Sequence, residues 1–251
     1  MSTAIDLGRY IQRRHVRAYE REMARGTYAY GVDVRRARWL TTSSVGQAAM
    51  RSIEHAWYRL ADELIAGELA YPDGPGAIPL LNDVIELCQL LHTTPPAVRI
   101  VTPAAREARA FGLVTPLGDP RSSDDWLVVD AEALAALPAP ERAFLLAAGL
   151  AHLQCGHGVL FIAHLVGQRR GGLGVLRRAL LPWTRVAAFS ADRAGLLAAG
   201  ELDAALRALA LEAAAAPAWA PTAGVPPLAA RRVALEEFAE SAALARARTR
   251  R

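Results

Sequence analysis

Three residues that can hold metals or attack electrophiles lie close together in AHLQCGHG: His152, Cys155 and His157. Imidazole and thiolate suit a borderline cation such as Zn²⁺, and a cysteine beside a histidine is also the raw material of a thiol nucleophile. Spacing limits both ideas. On one continuous helix, residues 152 and 155 share a face, whereas residue 157 points well round from 152. A shared metal on His152, Cys155 and His157 therefore needs a break near Gly156, which Gly156 and Gly158 would permit. Without it, Cys155 reads as inert core. His92 and His164, with nothing at metal spacing beside them, read as satisfied histidines at helix edges. The segment QRRGGLGVLRR, residues 168–178, contains GGLG but has no preceding strand and no following Lys with Ser or Thr, so it does not read as a phosphate loop. Its four arginines read as a solvated connection or a contact for an acidic partner.

These histidines sit in AFLLAAGLAHLQCGHGVLFIAHLVG, residues 143–167, a run without formal charge that is long enough to span a bilayer. Four polar residues (His152, Gln154, His157, His164) and three glycines (Gly149, Gly156, Gly158) argue instead for the central helix of a soluble fold. That helix is expected over 141–166, with Pro140 at its first position and Glu141 beside it. Upstream, residues 1–66 read as helices, with Met50, Ile53, Trp57, Leu60 and Leu64 on one face. YPDGPGAIP, residues 71–79, breaks them from a helix in LLNDVIELCQLLH. Short β-branched runs in TTPPAVRIVTP and DDWLVVD predict two strands, with AFGLVTP, residues 110–116, as a third. Downstream, residues 182–215 predict two helices parted at Gly200, and the tail predicts one amphipathic helix ending in Arg246, Arg248, Arg250 and Arg251.

The fold class expected is α+β and mostly helical, with a small sheet from residues 97–130 packed on the central helix. Residues 1–70 are expected as an N-terminal helical extension and residues 71–251 as the main domain. With 251 residues, 53% hydrophobic and 22% charged, the chain can build one sizeable core or two small ones and is too apolar for disorder. The net charge of +4 comes entirely from arginine and is spread along the chain, so nucleic acid is not expected as a partner. Cys88 and Cys155 lie in apolar surroundings, which predicts no disulfide and a reducing compartment. The first 30 residues lack the pattern of a secretion signal, so the expected location is the cytoplasm, and no membrane span is expected.

The run LVVDAEALAALPAPERAFLLAAGLAHLQCGHG, residues 127–157, resembles HtpX-like zinc metallopeptidases, in which a strand and a short helix lead into a long helix carrying HExxH. ERAFLLAAGLAHLQCGH aligns without a gap to the family's ELRFVIGHELGHIKSGH. WTRVAAFSADRAGLLA is similar to the family's later helix, WxRxxExxADRAGLL, and PPLAARRVALEEFAES to its ending. Two motifs in order, roughly 40 residues apart, are far more specific than either alone. The resemblance covers about residues 72–245 and implies a zincin-like fold.

It also implies a loss. The first histidine of HExxH falls on Ala148, the general-base glutamate on Gly149 and the third ligand on Ala188; only the second histidine survives, as His152. Two imidazoles one turn apart can grip Zn²⁺ together with a third ligand, and a neighbouring carboxylate then takes the proton of the metal-bound water. Ala148, Gly149 and Ala188 supply neither ligand nor base. Asp192 and Arg193 are retained, and in the resembled fold that Asp approaches the second histidine, so a hydrogen bond from Asp192 to His152 is expected, against local helix salt bridges as the plainer reading. The chain thus reads as a pseudopeptidase: no catalytic residues, no cofactor because zinc has been lost, and a non-catalytic protein-binding or scaffold role with another protein as partner, with self-association compatible. The alternative is an active metal-dependent peptidase or hydrolase whose zinc has moved to His152, Cys155 or His157.

Overall fold

Strand β4 (Trp126–Val129) is buried at every position, and its alternating side chains enter two different cores. Leu127 and Val129 join one, Trp126 and Val128 the other, as the two-residue period of a strand covered on both faces requires. The computed structural model describes residues 7–118, 125–171, 174–220 and 225–249. Around β4 lie β1 (Leu69–Ala70), β2 (Ala97–Val101) and β3 (Val114–Leu117), in the order β1-β2-β4-β3. The β2–β4 pair is parallel and both outer pairs are antiparallel.

The rest is helical, and the class is α+β and mostly helical. Before the sheet come α1 (Leu7–Thr27), α2 (Gly31–Thr42) and α3 (Ser44–Gly67), with α4 (Ile78–Leu91) between β1 and β2. Two single-turn helices, α5 (Pro103–Glu107) and α6 (Ala131–Ala135), flank β3 and β4 in the chain. Then follow α7 (Ala139–Gln154), α8 (Gly158–Arg170), α9 (Gly174–Ala199), α10 (Leu202–Ala215), α11 (Leu228–Ala239) and α12 (Ala242–Thr249). On α3, Met50, Ile53, Trp57, Leu60 and Leu64 are all buried, and the Ser43 hydroxyl caps the helix by accepting from Gly46 N. Helices α4 and α7 share one core with Leu127 and Val129, whereas α3 and α8 share the other with Trp126 and Val128.

Three expectations need correction. The helix expected over 141–166 is two helices, α7 and α8, bent by 94° around residues 155–157. The tail helix is also two, α11 and α12, parted at Glu240 and Ser241. The arginine-rich segment 168–178 is partly helix, since α9 begins at Gly174. Arg169 there forms a forked pair with Glu68 at 2.7 and 2.6 Å, and Arg170 pairs with Glu63, which ties α8 to the end of α3. Gly172 and Leu173 of that segment, and Arg250 and Arg251 of the tail, lie outside the described residues. Among the described residues no single helix is long and apolar enough to cross a membrane; the bent pair α7–α8 reaches that threshold only when joined.

Helix α1 is pinned to the end of α7 by polar groups inside the protein. The Gln154 amide donates to Glu20 O at 2.8 Å and to Leu91 O at 2.9 Å, and its Oε1 accepts from the Tyr28 hydroxyl. The buried Glu20 carboxylate accepts from Thr94 N at 2.6 Å and from the Thr93 and Thr94 hydroxyls. All three of these bonds fall on Glu20 Oε1, while Oε2 faces Arg17 Nη1 at 3.6 Å.

Candidate functional site

The chain leaves α7 through a Schellman ending. Gly156 has φ +79°, Gly156 N donates to Leu153 O at 2.9 Å, and His157 N donates to His152 O at 2.7 Å. Glycine is suited to that left-handed position. The next helix starts at once, and Gly158 is needed for a different reason: a Cβ there would lie 2.4 Å from Gly118 N, so the end of β3 packs directly on the first turn of α8. The two glycines together fold residues 155–157 into a compact elbow.

The elbow brings together residues that a straight helix would hold apart. His152 Nδ1 and His157 Nδ1 are 3.0 Å apart, and His157 Nε2 donates to Asp33 Oδ1 at 2.7 Å. The same oxygen accepts from Trp183 Nε1 at 2.6 Å. Cys155 completes the group: its Sγ, a ring nitrogen of His157 and a carboxylate oxygen of Asp33 all lie within 4.8 Å of one another. Asp33, Cys155 and His157 are each 0% exposed. The His152 ring packs edge to face with those of His157 and Phe161, and His157 packs with Trp183 in the same way.

Electrostatics sort these groups. Burial works to raise the Asp33 carboxyl, but the His157 ring and the hydrogen bonds from its neighbours overcome it and hold Asp33 below its ordinary range. Burial, followed by the adjacent His157 and Arg231, pushes His152 well below its ordinary value, so its ring is neutral. Burial and then Asp33 push the Cys155 thiol well up, and burial does the same to the Tyr28 hydroxyl lying against it. A thiol held protonated in a closed core is a poor nucleophile.

The positions singled out by the family pattern are small and buried. Ala148 and Ala188 are each 5% exposed. A Cβ at Gly149 would lie 2.5 Å from Val114 Cγ1 and 2.9 Å from Leu127 Cδ1, so the sheet occupies the space of a side chain. The expected hydrogen bond from Asp192 to His152 does not form. Asp192 is gripped instead by Arg231, at 2.9 Å through Nε and 2.5 Å through Nη2, and Arg231 also reaches Glu212 at 2.8 Å. A guanidinium fork matches both carboxylate oxygens, which a single imidazole N–H cannot do. Arg193 lies over the rings of Tyr30 and Phe238, at 3.8 and 4.7 Å, rather than in a local salt bridge.

Asp33, Trp183 and Tyr28 were not singled out in the sequence, and Gln154 was read only as a polar residue at odds with a membrane span. Asp33 stands in the first turn of α2, where an acidic residue needs no further reason. Trp183 matches the first letter of the family's later motif and nothing marks it as a donor to a carboxylate. Its neighbour Pro182, inside α9, was the nearest available signal of a special position. No protein-family model, curated protein or solved structure matches this chain.

Proposed function

We propose that the chain is a degenerate relative of the HtpX-like zinc metallopeptidases with a zincin-like core, acting as a non-catalytic, protein-binding or scaffold subunit. The observation that carries this reading is the closed floor at Gly149. A general base at that position would have to stand where Val114 and Leu127 already stand. The ligand positions beside it are alanines pressed into the core. His152, the surviving ligand, has turned its Nδ1 to His157. A hydrolytic zinc site needs three ligands, an open position for water and a base, and here two of the ligand positions and the base position hold small apolar residues.

Burial of Asp33, Cys155 and His157 also argues against a relocated peptidase centre, since substrate has no approach to a cluster whose members are 0% exposed. Binding belongs elsewhere on the surface. A groove of about 400 Å³ opens at the start of α7, with Leu87, Leu90, Ala143 and Ala198 in its walls and Glu86 and the Asp83–Arg142 pair at 2.7 Å around it. It suits an apolar segment carrying a basic residue for Glu86.

The test rebuilds the lost site. In Ala148→His with Ala188→Glu, elemental analysis is expected to find one zinc more than in the parent chain, and that zinc is expected to disappear when His152→Ala is added. The rebuilt protein is expected to stay inactive toward peptides because the base is still missing. Failure to gain zinc in a folded variant would remove the zincin-like core, and chelator-sensitive peptidase activity in the parent chain would overturn the pseudopeptidase reading.

A further inference from the structure

We propose that Cys155, His157 and Asp33 form a structural site for one thiophilic divalent cation, with Zn²⁺ the ion that best suits the donor set. The site does not rest on the pseudopeptidase reading. It lies at the elbow between α7 and α8 and uses none of the positions 148, 149 and 188, so the two readings can fail separately.

Three observations converge on it. First, one thiol, one imidazole and one carboxylate offer their donor atoms within 4.8 Å of one another. Ligand atoms around a tetrahedral zinc stand about 3–4 Å apart, so the group needs only a small adjustment to close on an ion. Second, Asp33 is fully buried and yet its Oδ2 makes no hydrogen bond, although Ser190 lies beside the carboxylate. Oδ1 accepts from Trp183 and, while no ion is bound, from His157 Nε2, whereas Oδ2 is the oxygen available to a metal. A buried carboxylate oxygen without a partner asks for one. Third, the elbow itself is a Cys-Gly-His turn whose glycine has φ +79°, a backbone that points residues two apart at one place.

The surroundings complete the arrangement. His157 would ligate through Nε2 and keep its proton on Nδ1, directed at His152 Nδ1 3.0 Å away. His152 is neutral and able to accept it, with its own proton moved to Nε2, and so serves as the outer partner that fixes a ligating ring. The two imidazoles hold the same number of protons before and after, and the one proton released is that of the Cys155 thiol. Thiolate and carboxylate then balance the dication. The Tyr28 hydroxyl lies against Cys155. Burial of all three donors makes the role structural, a clamp of α2 onto the elbow rather than a reaction centre.

Cobalt reads the site directly. The untagged Cys88→Ser protein retains Cys155 as its single thiol. Titrated with Co²⁺ under reducing conditions, it is expected to bind one equivalent, with a thiolate-to-cobalt charge-transfer band in the near ultraviolet and strong visible bands of a tetrahedral ion. Zinc is expected to displace the cobalt. Asp33→Asn and His152→Ala are each expected to weaken binding by about tenfold or more, and Cys155→Ser to abolish the band. The proposal is overturned if the folded Cys88→Ser protein shows no such band with cobalt in excess, or if the band persists after Cys155→Ser. Should Cys155→Ser fail to fold, the band in the single-thiol protein decides alone.

Discussion

One turn of α7 separates two regions built in opposite ways. At Gly149 the helix lies against the sheet and leaves no space: Val114 and Leu127 fill the volume that a side chain there would need. Around His152 and His157, polarity is kept and matched, through the imidazole pair, the Asp33 carboxylate and the Trp183 indole. The difference follows from what each side has available. A polar side chain is costly to bury without a partner, and at 149 it would meet Val114 and Leu127. His152 has a partner, because the elbow delivers His157 to it.

The largest test of that contrast is Asp33→Ala. It leaves the His157 Nε2–H and the Trp183 Nε1–H buried without an acceptor, and breaking a buried pair from one side is expected to cost about 3–5 kcal/mol, read as a shift in urea unfolding. A loss below about 1 kcal/mol would mean that the polar region is no better organised than the apolar one. The pH dependence has a definite sign. The Asp33 carboxyl is lower in the folded protein than in the unfolded chain, so its stabilisation is present above the unfolded value and is lost as pH falls through the lowered folded value.

Much of the scaffold was legible in the sequence, and most of the site was not. The helical face of α3, the strands β2 and β4, and the break at Gly200, with φ +76°, follow from periodicity and glycine. Strand β1 was invisible because two residues carry no period; Leu69 and Ala70 are a strand only because Val101 and Ile100 lie beside them. The elbow was legible as a condition: a break near Gly156 was required before His157 could meet His152. Whether glycine ends a helix or sits within it depends on what packs against it, and here Gly118 settles the matter by contacting Gly158. Asp33 lies more than a hundred residues from its partners, and nothing local distinguishes it from an ordinary acid at a helix start. Asp192 was misread because its motif suggests His152, while Arg231, in a later helix with no metal-site signature, offers a better-matched fork.

The apolar side of the comparison is tested by Gly149→Ala. The added methyl would meet Val114 Cγ1 at 2.5 Å and Leu127 Cδ1 at 2.9 Å. Overpacking of this kind typically costs about 1–3 kcal/mol, because both neighbours must leave favoured rotamers or the helix must move off the sheet. Trimming Val114 to alanine in the same chain should recover part of the loss, since it opens the nearer contact. A Gly149→Ala protein as stable as its parent would show that the floor yields easily, and would remove the steric argument against a base at this position.

His164 sharpens the comparison from a third place, because it has the chemistry of the polar region and the surroundings of the apolar one. It lies buried on α8 with neither ring nitrogen hydrogen-bonded. Burial, and then the charge of Arg177, lowers its pKa from 6.5 to about 4. The unfolded chain therefore takes up a proton first, and stability falls as pH drops from about 6.5 toward about 4. His164→Leu removes a ring that makes no bond, so its effect at pH 7 should be small and can be stabilising. Its main expected consequence is a flatter stability profile below pH about 6.5, measured by urea unfolding at neutral and at acidic pH. The slope that remains should come partly from His152, whose lowered value acts in the same direction. An unchanged slope would place the acid sensitivity in the matched network rather than in this isolated imidazole.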